Sequence, residues 1–165
     1  MLNAQVPHTY ARRDPHEHLR QLASALGLRG GGVGMLTAAD VRQVHRANDG
    51  GVLALATVGT DCVGPAAAPA SVRRGTSGRP GTINIVVVLP VALADGALVN
   101  AVATATEAKA QALTEAGLEG TGTPTDALCI CCSAQGRPFV FGGPTSQWGS
   151  RLARAVRSAV LEGAR

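Results

Sequence analysis

Eight residues near the middle of the chain, Thr82-Ile83-Asn84-Ile85-Val86-Val87-Val88-Leu89, constrain the fold more than any other segment. Residues branched at Cβ dominate the run, and such side chains pack well on a pleated surface. Apart from Thr82 and Asn84 both faces of the strand are apolar, the pattern of an interior strand covered on two sides. The pleat points Thr82 and Asn84 the same way, so two polar groups share one face near the start of a central strand.

Other elements fall around it. Leu93 to Ala116 has Leu98, Ala101, Val102, Ala105, Ala108, Ala112 and Leu113 at core-like helical spacing, with Gly117 as its stop. Val52 to Val58, Ala127 to Ser133 and Pro138 to Phe141 are expected strands, and Ser146 to Glu162 a closing helix. Asp14-Pro15-His16-Glu17 predicts an earlier helix that Asp14 caps and that runs to about Leu26, with Gly27 ending it. After the bend Arg29-Gly30-Gly31-Gly32-Val33-Gly34, Thr37 is expected to cap a further helix over Ala38 to Ala47. Gly59 to Pro80 is expected to be a long irregular connection, of the kind that often lines a site. With 165 residues, these elements predict a single α+β domain, a mixed sheet with the long and closing helices packed on it; a fully parallel α/β sheet is the alternative.

Composition narrows the function classes. Charged residues are only 16% of the chain and hydrophobic ones 45%, which argues against disorder. The net charge of +4 is spread along the sequence, and one Trp, one Tyr and two Phe do not make a stacking platform, so no nucleic-acid partner is expected. No apolar run approaches the roughly 18 residues of a membrane span, and the first residues lack the pattern of a signal peptide; a cytoplasmic protein without a membrane partner is expected. Sequence says nothing of oligomeric state.

Metal and nucleophile motifs are equally sparse. Cys129, Cys131 and Cys132 lie in one apolar run, where a strand sends Cys129 and Cys131 to one face and Cys132 to the other, so they are expected to be buried reduced thiols, with no metal and no cofactor. His16 and His18 fall on different faces of their helix. There is no Gly-x-Ser-x-Gly elbow, His-Glu-x-x-His pair or Gly-x-x-x-x-Gly-Lys-[Ser/Thr] phosphate loop. On the long helix Asn100, Thr104, Glu107 and Gln111 lie within about 60° of one another, either a solvated face or a functional stripe. Lys109 lies about 200° from Glu107, so a straight helix cannot bring both to one small ligand. Arg151, Arg154 and Arg157 recur every three residues and suggest a solvated cationic face.

Four ordered motifs carry a resemblance. Pro80-Gly81-Thr82-Ile83-Asn84-Ile85, then Ala103-Thr104-Ala105-Thr106-Glu107-Ala108-Lys109, then Gly120-Thr121-Gly122-Thr123-Pro124-Thr125-Asp126, then Phe141-Gly142-Gly143-Pro144 with Trp148-Gly149 and Arg154-Ala155-Val156, resemble the adenosylcobinamide amidohydrolase family. Upstream, Leu2-Asn3-Ala4-Gln5-Val6-Pro7 and Val33-Gly34-Met35-Leu36-Thr37-Ala38-Ala39-Asp40-Val41 are similar to it too, so the likeness covers nearly the whole chain. Family members usually carry a further stretch of strand and Gly-Gly turn before the part matching Leu2-Asn3-Ala4, and a shortened domain over residues 1–165 is the expectation here.

The resemblance implies hydrolysis of the amide joining aminopropanol to the corrin side chain of adenosylcobinamide, releasing adenosylcobyric acid and 1-amino-2-propanol, with the corrinoid as substrate. A non-catalytic corrinoid binder or an inactive shortened homologue is the alternative. Placed on the matched motifs, the chemistry assigns Glu107 as general base for water or for a threonine hydroxyl such as that of Thr82. Asn84 and the backbone amides of Gly122 and Thr123 would polarise the carbonyl, and Asp126 would orient the loop or merely cap it. Thr104, Lys109, Gly142 and Gly143 are expected to contact substrate. This arrangement requires the Glu107 stripe to face the strand edge of Thr82 and Asn84; otherwise the site is to be rebuilt around Thr106 and Lys109.

Overall fold

A strand apolar on both faces needs neighbours on both edges and cover on both faces, and the computed structural model, which describes residues 1–69 and 81–165, gives it most of these. In chain order the elements are β1 (Leu2–Gln5), α1 (Pro15–Ala25), β2 (Gly34–Thr37), β3 (His45–Asp49), β4 (Val52–Val58), β5 (Ile83–Val88), α2 (Asp95–Glu115), β6 (Ala127–Cys131) and α3 (Gln147–Ala164). Four strands form a sheet in the order β3-β4-β5-β6, and β1 pairs with β2 in a separate two-stranded sheet. β4 is antiparallel to both β3 and β5, whereas β6 runs parallel to β5. The fold is therefore α+β with a mixed sheet, as the sequence predicts.

The two faces of the four-stranded sheet differ in chemistry. Ile83, Ile85 and Val87 of β5 and Val52, Ala54 and Ala56 of β4 join Ala97, Ala101, Ala105, Ala108, Ala112 and Leu113 of α2 and Leu152, Val156 and Val160 of α3 in one aliphatic core. Alanine along α2 lets that helix lie close to the sheet and to α3. The other face carries Asn84 and Thr57, opposite each other in the β4–β5 register, and the small β1–β2 sheet covers them. Asn84 Nδ2 donates to Asn3 Oδ1 at 2.8 Å and to the Leu36 carbonyl at 3.0 Å, and Asn3 Nδ2 donates to Thr57 Oγ1 at 3.2 Å. Cover is incomplete at the end of β5, where Val88 is exposed.

Several local expectations are corrected. Residues 38–44 form no helix: Thr37 ends β2, its hydroxyl accepts from Ala39 N at 3.0 Å, and the Asp40 carboxylate accepts from Arg42 N and grips the Arg42 guanidinium. These side-chain bonds give the backbone a turn in place of a helix, and the guanidinium holds the Asp40 carboxyl down at about 2. β3 follows, joined to β4 by Gly50 and Gly51, whose φ values of 54° and 92° suit a tight hairpin turn that residues with a Cβ rarely adopt. Pro138 to Phe141 is not a strand and makes a single parallel bridge, Leu93 to Phe139. Asp14 starts α1 without a side-chain cap, because its carboxylate is held by Arg12. Cys129 and Cys131 share a strand face as expected, with sulfurs 3.8 Å apart, but all four thiols are half-buried; desolvation, with Cys131 beside it, pushes the Cys129 thiol upward.

The three arginines of α3 are clamps and not a solvated stripe. Arg154 grips Asp49, Arg157 grips Glu115 of α2, and Arg151 donates to the Gly50 carbonyl while its guanidinium lies 4.7 Å above the Trp148 ring. No helix among the described residues is long and apolar enough to cross a membrane. The expected connection from Gly59 to Pro80 falls partly outside the described residues, which omit 70–80.

Candidate active site

Parallel pairing brings the starts of β5 and β6 to the same end of the sheet, with Asn84 opposite Ala127. Asp126, one residue before β6, thereby lies beside Ile83, whose backbone N–H donates to Asp126 Oδ1 at 2.9 Å. The preceding loop folds back over the carboxylate: Thr123 N donates to Asp126 Oδ2 at 3.1 Å, and the Thr123 hydroxyl bonds Asp126 Oδ1. From α2 the Lys109 ammonium bonds Asp126 Oδ2, and the two side chains are only 11% and 13% exposed. One carboxylate thus meets four donors, the degree of satisfaction a nearly buried ion pair requires to be tolerable.

Glycine is required where this loop closes. A Cβ on Gly122 would lie 2.4 Å from Asp126 Oδ2 and 2.5 Å from Lys109 Nζ, and one on Gly120 would lie 2.5 Å from backbone atoms of Gly64. The described part of the long connection is what presses there: Gly64 N donates to the Gly122 carbonyl at 2.9 Å, Thr121 N donates to the Gly64 carbonyl at 3.0 Å, and Ala66 N donates to Thr121 Oγ1 at 3.0 Å. Beside the loop, the hydroxyls of Thr82 and Thr125 are 2.7 Å apart. A cleft of about 190 Å³ opens between Thr106 and Lys109 on α2, Asp126 with Ala127 and Leu128 at the start of β6, and Ile83 and Ile85 on β5.

Of the residues singled out from sequence, the fold gathers Thr82, Lys109, Gly122, Thr123 and Asp126. It does not gather the others. Glu107 is exposed, at the middle of the arc of α2 that faces away from the core. Asn84 is buried on the opposite face of the sheet from α2, with its amide N–H groups spent on Asn3 and Leu36. The expected convergence of Glu107, Thr82 and Asn84 on one bond is therefore absent. The reason lies in the inward arc of α2: it runs through Ala97, Ala101, Ala105, Ala108 and Ala112 and takes in Thr104 and Lys109, but not Glu107.

Thr104 and the glycine pair meet each other and not an open cavity. Thr104 Oγ1 donates at 3.0 Å to the carbonyls of both Asn100 and Gly142. A Cβ on Gly142 would lie 2.2 Å from the Ala97 carbonyl oxygen, and one on Gly143 would lie 2.8 Å from Asn100 Oδ1, so these glycines let the 142–143 backbone approach α2. Thr106, expected beside Lys109 only as the alternative to the Glu107 face, lines the cleft; Thr125, which stands inside a matched motif beside Thr82, carries no role in the sequence reading.

Chemically, an ammonium held at the wall of a small cleft offers fixed positive charge to a developing oxyanion or a proton to a departing amine. Asp126 has both oxygens engaged, so it positions Lys109 and the Gly122 loop and is not free to take a proton from water.

Comparison with known proteins places the chain in a family. The model of the adenosylcobinamide amidohydrolase family matches residues 1–165. A protein named adenosylcobinamide amidohydrolase in Methanosarcina mazei is 31% identical over 172 residues, covering 99% of this chain and 81% of its own length. Another of that name, from Halobacterium salinarum, is 34% identical over 163 residues, covering 94% of this chain and 69% of its own. No solved structure matches the chain significantly. Since the match runs from the β1 residues through the Gly122 loop to α3, the chain belongs to the adenosylcobinamide amidohydrolase family.

Proposed function

We propose that the chain hydrolyses the aminopropanol amide of adenosylcobinamide, giving adenosylcobyric acid and 1-amino-2-propanol, as a cytoplasmic step in corrinoid salvage. The observation that carries this reading is the family match along the whole of residues 1–165. In the reaction, water adds to the amide carbonyl carbon, the C–N bond breaks, and the two protons of the water end on the departing nitrogen, giving a carboxylate and an ammonium. In this reading the Lys109 ammonium, held by Asp126, meets the oxyanion as it forms and can pass a proton to the leaving amine. Thr82, Thr106 and Thr125 supply hydroxyls at or beside the cleft for the substrate's amide and for water.

Incubation of the purified chain with adenosylcobinamide should yield adenosylcobyric acid by mass spectrometry, and absence of product at high enzyme concentration would reject the reading. Two variants then locate the chemistry. Lys109→Met is expected to lower kcat by about 10²- to 10³-fold, the usual scale for one preorganised charge or donor, whereas Glu107→Gln, on the solvent arc, should leave turnover close to wild type. Because Lys109→Met alone strands a nearly buried carboxylate, the double variant Lys109→Met with Asp126→Asn keeps the packing and should remain folded and inactive. Full loss in Glu107→Gln with turnover retained in the double variant would move the reaction to the outer face of α2.

A further inference from the structure

The strand geometry that keeps Cys129, Cys131 and Cys132 from converging on one ion still presents two of them side by side. Cys129 is in register with Val86 and Cys131 with Val88, on the sheet face turned away from α2, whereas Leu128, Ile130 and Cys132 pack against the aliphatic core. The Cys129 and Cys131 sulfurs are 3.8 Å apart, and both residues are half-buried. β6 is the last strand of its sheet, so the pair has Val86 and Val88 on one side and, among the described residues, no strand on the other. Val88 is 40% exposed, which leaves this end of the face open to solvent.

Two sulfurs this close could be expected to bond to each other, but the strand forbids it. Residues two apart on an extended strand hold their Cβ atoms roughly 6.6 Å apart, whereas a disulfide requires about 3.5–4.5 Å. A single atom inserted between the sulfurs removes the conflict. Two bonds of roughly 2.3 Å, the length of a zinc–sulfur bond, span the 3.8 Å separation at about the tetrahedral angle. An ion that binds two sulfurs in a straight line would hold them further apart. The number of donors narrows the class again. Among the described residues no three His, Cys, Asp or Glu side chains are placed to hold a metal ion together, so a bare cation that needs three or four protein ligands is not served. Two soft thiols satisfy a thiophilic centre that brings the rest of its coordination with it, as a monosubstituted trivalent arsenical does.

We propose that Cys129 and Cys131 form a dithiol site for a thiophilic centre that offers two positions to sulfur, bound on the outer face of β6 and apart from the Lys109 cleft. With phenylarsine oxide as the probe, two S–As bonds form, the bond from arsenic to oxygen breaks, and the oxygen leaves as water with both thiol protons. Arsenic stays trivalent throughout. The inference does not depend on the amidohydrolase reading.

Phenylarsine oxide added to the full chain in slight excess tests the site, read by intact-mass spectrometry and by counting the thiols that still react with iodoacetamide. The expected result is a single adduct, the loss of two reactive thiols, a circular dichroism spectrum like that of the free chain, and release by a small 1,2-dithiol but not by a monothiol. Cys129→Ser and Cys131→Ser should each weaken binding by about 10²- to 10⁴-fold, the gain that a second tethered ligand gives over one. Cys132→Ser, on the other face of the strand, should bind as wild type. Cys129→Ala keeps an apolar side chain at the half-buried position and should lose the adduct as well, so the test survives a serine variant that folds poorly. An adduct retained in Cys129→Ser and Cys129→Ala but lost in Cys132→Ser would shift the chemistry to the adjacent Cys131–Cys132 pair and overturn the proposal. No adduct on the wild-type chain, or one that forms only as the native dichroism disappears, would overturn it too.

Discussion

The described residues contain two β–α–β units of the same connectivity, β1–α1–β2 and β5–α2–β6, each pairing its strands in parallel. Their crossover helices are treated very differently. α2 buries eight residues against the sheet and α3, whereas α1 buries none. The second unit is held by aliphatic packing and carries the Lys109–Asp126 pair; the first is held to the main sheet by the polar seam of Asn3, Asn84 and Thr57 together with a few apolar residues such as Met35 and Val6. Identical topology therefore produces a rigid platform in one case and a thin cover in the other, and what decides is how much of the helix leaves water.

The same substitution in each crossover helix tests this difference. Leu113→Ala, at a fully buried position of α2, is expected to destabilise by about 3–5 kcal/mol, the transfer term plus a cavity. The polar seam comes next: Asn84→Ala leaves the Asn3 side-chain oxygen and the Leu36 carbonyl without their donor and should cost about 1–3 kcal/mol, with faster amide exchange in residues 2–5 and 34–37. Leu22→Ala in α1, half-buried, should cost under about 1 kcal/mol in chemical denaturation. If Leu22→Ala equalled Leu113→Ala, the cover would be part of the main core and the comparison would collapse.

The platform was legible in the sequence and the cover was not, for physical reasons. β4, β5, α2 and α3 announce themselves because burial imposes a pattern on them: Val52–Val58 was read to the residue, and the span of α2 to within two. β1, β2 and β3 are short and half-exposed, with no run long enough to show a period, and Ala38-Ala39 reads as helix until Thr37 and Asp40 are seen spending their side chains on a turn. One signal for the β3–β4 hairpin was present in Asp49-Gly50-Gly51 and passed unused. For the candidate site, the matched motifs contain Thr82, Lys109, Gly122, Thr123 and Asp126, which the fold brings together, but an alanine-rich helix has small apolar residues on every side. Its wheel therefore could not say that Lys109 and not Glu107 turns inward. Only the parallel neighbour β6, which sets Asp126 beside Ile83, makes that choice.

The way α3 lies across β3 and β4 has a consequence for how the protein comes into being. The hairpin is complete at Val58, but the helix that covers it with Leu152, Val156 and Val160 does not begin until Gln147, nearly ninety residues later. At the usual pace of roughly 5–20 residues per second, a nascent chain carries that apolar strand surface uncovered for on the order of 5–20 seconds.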